Sequence, residues 1–155
     1  MIGIVNYGIG NIKAFSNIYN QLDIHHKIIT AKKDFNGVEK IILPGVGSFD
    51  HAMTCLNESG LLETLNSLVL DKKKPVLGIC VGMQMMAMSS EEGELKGLGW
   101  IEASVKKFNK EKLGDKNPLP HMGWNSVIQT PNNFLFKNID PSARFYFLHS
   151  YYFKS

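Results

Sequence analysis

Cysteine is scarce: the chain has two in 155 residues, Cys55 and Cys80. Two thiols make no disulfide framework, which excludes a small extracellular scaffold held by cystines. Long apolar runs are missing too, and no stretch reaches the roughly 20 residues that a bilayer-spanning helix needs. The opening MIGIVNYGIG has no basic region and no cleavage pattern, so it does not read as a secretory signal. These absences predict a cytoplasmic protein, in a compartment where a thiol stays reduced. Nor is there an excess of one charge, since 17 Lys and Arg against 14 Asp and Glu leave a formal +3. The lysines gather only at Lys72, Lys73 and Lys74 and at Lys106, Lys107, Lys110 and Lys112. Both groups read as solvated loop edges, and no arginine-rich or aromatic-interleaved basic stretch argues for nucleic acid. His25 and His26 are adjacent, hence on opposite faces of a strand, and His121 has no partner at ligand spacing. No metal or other cofactor is expected. What is present, 44% hydrophobic and 20% charged residues, is enough for a normal core, and the length suits a single domain over 1–155.

The chain is organised around residues 75–90, PVLGICVGMQMMAMSS. These read as a buried strand over 76–79, a sharp turn, and a helix from about Gly82. Cys80 sits at the turn between Gly78 and Gly82, the Gly-x-Cys-x-Gly form of a nucleophile elbow. The glycines leave room for a backbone too tight for side chains on either side. Such a corner aims the sulfur over a helix N-terminus, whose unpaired N–H groups favour a thiolate and can hold an oxyanion. Most buried free cysteines are inert, and that reading stands beside the nucleophilic one. The two glycines, the apolar strand and the following helix together favour the nucleophile.

The remaining elements alternate strand and helix. Ile2–Val5 is a short apolar strand, followed by Gly8, Gly10 and a helix over about 11–22 with Ile12, Phe15, Tyr19 and Leu22 at helical spacing. This glycine turn lacks the third glycine and the ribose acid of a dinucleotide fingerprint. A strand over 25–30 and another over Lys40–Leu43 follow. The second ends in Pro44-Gly45-Val46-Gly47, at the strand end where open α/β sheets place ligand groups. That loop is either a plain turn before a helix capped by Ser48 or, beside the elbow, a source of oxyanion N–H groups. Residues 48–70 read as a helix broken at Ser59-Gly60, with Cys55 as core filler and His51 exposed. Later come a strand-like 100–108, a polar loop 109–120 interrupted by His121-Met122-Gly123-Trp124-Asn125, a short strand at Val127 and Ile128, a turn over 130–133, and a brief helix or turn over 134–139. Six of the nine residues 145–153 are aromatic, an unusual terminus that reads as a sheet interrupted midway. The order βαβα with short loops predicts an α/β fold: a doubly wound, mostly parallel sheet with helices on both faces and an added antiparallel section.

The segments YGIGNI, LPGVGSFDHAM, LGICVGMQMM, SSEEG, GLGWI, PHMGWN and FYFLHSYY run almost from end to end. Together they resemble the class I glutamine amidotransferases, and among them the glutaminase subunits of imidazole glycerol phosphate synthase in histidine biosynthesis. The resemblance implies a flavodoxin-like core and a glutaminase. Cys80 would attack the side-chain amide of glutamine, with the N–H of Val81 and one from the Val46-Gly47 peptide holding the oxyanion. Gln84 and Glu92 match positions that hold the amino-acid end of glutamine, and the backbone of His149, Ser150 and Tyr151 matches the other side of the substrate. Asn11, Met122 and Trp124 match the face that meets a cyclase subunit with a (β/α)₈ barrel, which would take up the ammonia.

The sequence departs from the family pattern in two ways. The family's catalytic His and Glu lie in a Gln-Phe-His-Pro-Glu-like stretch beyond the aromatic strand. These 155 residues do not include it, so the last strands are expected to be missing and the chain alone nearly inactive. His149 is no substitute, since its neighbours match the substrate-side segment. Val81 also stands where leucine is more usual, and Asn6 where an acid is common. A sister branch supplying ammonia for bacterial surface-polysaccharide sugars, a non-catalytic docking fragment, and a cysteine-elbow peptidase of similar fold are the alternatives. PHMGWN and SSEEG have no role in the peptidase.

Overall fold

The computed structural model describes residues 1–113, 118–128, 130 and 133–155. Parts of the expected 109–120 loop and 130–133 turn therefore lie outside the described residues. The backbone groups into two compact units, Met1–Lys106 with Phe153–Ser155, and Lys107–Tyr152.

The first unit carries a four-stranded sheet in the order β2-β1-β3-β4, formed by β1 (Ile2–Val5), β2 (His26–Ile29), β3 (Lys40–Leu43) and β4 (Val76–Gly78). All neighbours are parallel, with Ile4 beside Ile28 and Ile42, and Leu43 beside Gly78. β1 and β3 are apolar runs because their side chains are covered on both faces; Ile28 of β2 and Leu77 of β4 are 39% and 43% exposed, so the strand before Cys80 is less buried than expected. On one face Ile4 and Ile42 pack with Ile12, Phe15 and Tyr19 of α1 (Ile12–Gln21). On the other, Val5, Ile29, Ile41 and Leu43 pack with Ala52, Met53 and Leu56 of α2 (Phe49–Glu58) and Leu65 of α3 (Leu62–Asn66). Each fully buried aliphatic side chain contributes about 1.5–3 kcal/mol by leaving water. The expected break is present: Gly60 has φ +71°, and the Ser59 hydroxyl donates to Leu56 O and accepts from Leu61 N–H. Beyond α3 the chain widens into a π turn over Ser67–Asp71, closed by Lys72 N–H to Ser67 O at 3.0 Å. His26 is absorbed locally, its ring bonding Ser16 Oγ and Ile24 O at 2.8 Å each.

Three sequence expectations need correction in this unit. The helix after the elbow, α4, spans only Val81–Gln84. A longer helix would need the carbonyls of residues 85–88 for its own N–H groups. Instead Leu98 takes Met85 O (2.7 Å), Ile101 takes Met86 O (2.9 Å), Gly99 takes Ala87 O (3.0 Å) and Gly97 takes Met88 O (2.9 Å). One turn of helix has little macrodipole, so what the corner offers an anion is its individual N–H groups. The strand expected over 100–108 is confined to β6 (Ser104–Lys107), which pairs in parallel with β5 (Ser89–Ser90). Finally, Ser48 holds the N-cap position of α2 but makes no side-chain cap. The Glu92 carboxylate takes the Phe49 N–H at 2.9 Å in its place.

The second unit is built on an antiparallel hairpin of β7 (His121–Ser126) and β8 (Arg144–His149). His121 to Asn125 was expected to interrupt a loop, and Val127 and Ile128 to form the strand; the structure reverses this, leaving Ile128 wholly exposed. The period-two alternation decides the matter. Met122 faces Leu148 and Trp124 faces Tyr146 on one side, while His121 faces His149 and Asn125 faces Phe145 on the other. A 3₁₀ turn over Phe134–Phe136 is capped by the Asn133 side chain, which accepts the Leu135 N–H at 3.0 Å. The aromatic tract breaks at Ser150 into β8 and β9 (Tyr151–Lys154).

Candidate active site

The strand order 2-1-3-4 makes β1 and β3 the pair at which the winding reverses. Ligand groups collect at the carboxyl ends of such strands. Of the four loops at the carboxyl ends of this sheet, three carry the candidate site residues or their neighbours: Gly8 to Asn11, Pro44 to Gly47, and the corner after β4.

Cys80 occupies the corner with φ 55° and ψ −125°, a conformation non-glycine residues seldom hold without a compensating framework. That framework is backbone. Ile79 N–H bonds Leu43 O, Gly82 N–H bonds Ile79 O, and Cys80 O accepts from Met83 and Gln84 N–H. The flanking glycines are sterically required. A Cβ on Gly78 would lie 2.4 Å from Met83 Cα, and one on Gly82 would lie 2.0 Å from Leu43 O. The Cys80 side chain is exposed, which removes the reading of an inert buried thiol. Val81 is the first residue of α4, so its N–H has no acceptor within the helix.

The Pro44 to Gly47 loop lies against this corner. A Cβ on Gly45 would fall 2.3 Å from Gly82 N, so the two backbones touch where both residues are glycine. Val46 is 56% exposed and Gly47 has φ +91°. Their N–H groups therefore stand on the loop that contacts the elbow. Asn11, the N-cap of α1 through Ala14 N–H, lines a cavity of about 480 Å³ with Gly10, Phe15, Pro44, Gly45, Val46 and Ile79. Among the described residues no group of three His, Cys, Asp or Glu side chains is placed to hold a metal ion.

Glu92 is tied to the start of α2 by the Phe49 N–H, and Asp50 returns the contact. Its carboxylate accepts from Glu94 N–H at 2.9 Å and Leu95 N–H at 3.0 Å. A Cβ on Gly93 would lie 2.0 Å from Asp50 Oδ1, so the loop closes directly over that carboxylate. Gln84 is half-buried on α4. Cys55 packs partly buried against the core, its sulfur 3.7 Å from Nε2 of the exposed His51.

In the second unit, His149 Nδ1 lies 2.8 Å from the Tyr151 carbonyl and so carries the proton of that bond. Its Nε2 then accepts from His121 Nδ1 at 3.0 Å, and His121 Nε2 accepts from the Asn125 amide at 2.7 Å. Both ring nitrogens of His149 are thus engaged within this unit. The 149–151 backbone is pinned by the side chain of its own first residue. Met122 and Trp124 are 62% and 58% exposed, with Trp124 edge-on to Tyr146.

Two residues escaped the sequence reading. Asp50 was visible only as an acid in the first turn of a helix, a position that acids favour anyway. Tyr7 lies just past the first strand with no local signal of a role, yet it is 4% exposed and its hydroxyl donates to Pro44 O at 2.7 Å. Burial, with smaller contributions from Cys55 and Cys80, pushes the Tyr7 phenol well above its ordinary range, so it stays protonated and donates.

An exposed cysteine on a strained strand-to-helix corner, beside a second loop of backbone N–H groups on a doubly wound sheet, is an arrangement in which a thiol can serve acyl transfer. The chain belongs to the family described as glutamine amidotransferase class-I, which matches residues 4–155. Among its relatives are proteins named imidazole glycerol phosphate synthase subunit HisH. That of Leptospira borgpetersenii is 53% identical over 152 residues, 98% of this chain and 74% of the relative. That of Bdellovibrio bacteriovorus is 53% identical over 154 residues, 99% of this chain and 76% of the relative. The chain thus spans about three quarters of their length. The crystal structure of a GMP synthase component from Thermoplasma acidophilum shares the fold, with a TM-score of 0.63 at 21% identity over 98% of this chain and 65% of the other. No helix among the described residues is long and apolar enough to cross a membrane.

Proposed function

We propose that this chain belongs to the glutaminase subunit of imidazole glycerol phosphate synthase and acts in histidine biosynthesis in the cytoplasm. The observation that carries the reading is Cys80, exposed on its positive-φ corner with the Pro44 to Gly47 loop packed against it. Relatives with that name at 53% identity support the choice of pathway. The Cys80 sulfur attacks the carboxamide carbon of glutamine. The N–H of Val81 and one from the Val46-Gly47 peptide hold the oxyanion; ammonia leaves, and water then releases glutamate from the thioester. Gln84 and the second oxygen of Glu92 hold the amino-acid end, and the backbone of residues 149–151 is a further substrate contact. Asn11, Met122 and Trp124 meet a (β/α)₈ cyclase subunit, which takes the ammonia before water protonates it and forms imidazole glycerol phosphate and AICAR.

In the full-length protein, 6-diazo-5-oxo-norleucine is expected to label Cys80, and Cys80→Ala to abolish the label. Peptide mass spectrometry reads both, and a wild-type protein that takes no label overturns the proposal. The 155 residues alone are expected to hydrolyse glutamine negligibly, because among the described residues no histidine is hydrogen-bonded to Cys80. Loss of a positioned acid–base group lowers a rate about 10²- to 10⁴-fold. Ammonia release by the 155-residue chain near the full-length rate would contradict this.

A further inference from the structure

The structure assigns Tyr7 a role in positioning the oxyanion loop: its hydroxyl anchors the Pro44 carbonyl, and so fixes the half of the loop that does not carry the N–H donors. The inference rests on the glutaminase reading. The loop has a held half and a free half. Pro44 is buried, and among the described residues only the Tyr7 hydroxyl donates to its carbonyl. Gly45 is pressed on its other side against the Gly82 backbone. Val46 and Gly47 are exposed, and no described residue accepts from their N–H groups.

A core ring at position 7 needs no hydroxyl for packing. A buried phenol is retained where its O–H has a partner, and here that partner is the residue at the root of the loop. The sulfur of Met85 lies 3.6 Å from the same oxygen, a weak contact beside the 2.7 Å bond. Oxyanion stabilisation depends on donors that are already aimed before charge develops. With the Pro44 peptide free to rotate, the N–H groups two and three residues on lose that aim, while the Cys80 corner, held by its own bonds, keeps its shape.

The test compares two alkylating reagents on the full-length protein. With 6-diazo-5-oxo-norleucine the Cys80 sulfur bonds the diazo carbon, the thiol proton ends on that carbon, and N₂ leaves. Iodoacetamide needs only an accessible thiol. Tyr7→Phe is expected to slow the first reaction about tenfold, less than the 10²–10³ typical of removing a donor itself, and to change the second by less than about twofold. In glutamine hydrolysis, kcat should fall by the same factor with KM held. Ile29→Val, a core change elsewhere in the sheet, serves as the control: it should lower the melting temperature without altering the ratio of the two rates. Hydrogen exchange of the unsubstituted protein gives a second reading, with Val46 and Gly47 amides expected to exchange faster than those of β3. A Tyr7→Phe protein with the wild-type ratio, an equal change in Ile29→Val, or Val46 and Gly47 amides as protected as β3 would each overturn the inference. A wild-type protein alkylated by iodoacetamide but not by the diazo compound would instead overturn the glutaminase reading, and this inference with it.

Discussion

The two units bury their apolar residues in opposite ways. Every buried hydrophobic residue among those described lies at Val105 or earlier, in the unit that carries Cys80. The hairpin unit instead exposes Met122, Trp124, Tyr146 and Leu148 on one face, each by more than half. The first unit can hold Cys80 in a strained conformation, because the backbone bonds of Ile79, Gly82, Met83 and Gln84 over-determine the corner. A hairpin with one apolar face open has no such reserve. What it offers is a patch of the kind that marks a contact surface. The proposed nucleophile lies in the unit with the buried core, and two of the three proposed partner contacts, Met122 and Trp124, lie on the open face of the other.

The glycines give the sharpest contrast. Gly82→Ala puts a Cβ 2.0 Å from Leu43 O and 2.9 Å from Pro44 C, both backbone atoms that cannot swing aside. A loss of about 5 kcal/mol or more is expected, the exceptional range for one substitution. Gly123→Ala meets nothing within 4 Å but must hold φ +132°. That strain amounts to about 1–3 kcal/mol. Urea titrations of both variants measure the difference, and equal losses would dissolve the contrast between the units.

Side-chain truncation extends the comparison. Phe49 is fully buried at the start of α2, so Phe49→Ala is expected to remove about 3–5 kcal/mol. Trp124→Ala, on the open face of the hairpin, should change stability by less than about 1 kcal/mol. Its effect should appear in affinity for the proposed cyclase subunit, about 2 kcal/mol or more if Trp124 is an anchor of the contact. Calorimetry of unfolding and of binding separates the two. A Trp124→Ala protein that binds normally and unfolds early would place Trp124 with the core residues.

The parallel sheet was legible in the sequence because it rests on local signals. The runs Ile2–Val5 and Lys40–Leu43, the Ser59-Gly60 break and the paired glycines around Cys80 each declare themselves within a few residues. What was not legible depends on distant partners. The length of α4 is set by residues 97–101 taking its would-be acceptors, and the cap of α2 comes from Glu92, 43 residues away. The Tyr7 to Pro44 bond spans 37 residues. His121 to Ser126 failed to read as a strand because its pattern shows only against β8, where a glycine and two polar side chains share a face with aromatics.

The smallest effect compares one device placed in both units. The Asp34 carboxylate accepts from Thr30 and Ala31 N–H, and these backbone bonds, Thr30 first, hold it below the ordinary carboxylate range. The Asp140 carboxylate is lowered likewise by the Ser142 hydroxyl and then by its N–H. A depressed folded-state pKa contributes stability that is present above the unfolded value, about 4, and is lost as pH falls through the folded value. Asp140 is exposed and Asp34 is only partly covered, so solvent screens both and each contribution is small and confined to acid below about pH 4. Asp34→Asn should flatten the acid side of the melting-temperature profile of the first unit, because the turn it closes joins β2 to the 3₁₀ segment Lys32–Phe35, whose Phe35 is in the core. Asp140→Asn should leave that profile unchanged and loosen only the turn before β8, seen as faster exchange of the Ser142 and Ala143 amides. If Asp140→Asn moves the global acid transition as far as Asp34→Asn does, the hairpin melts together with the sheet, and the rigid and open regions are one cooperative body.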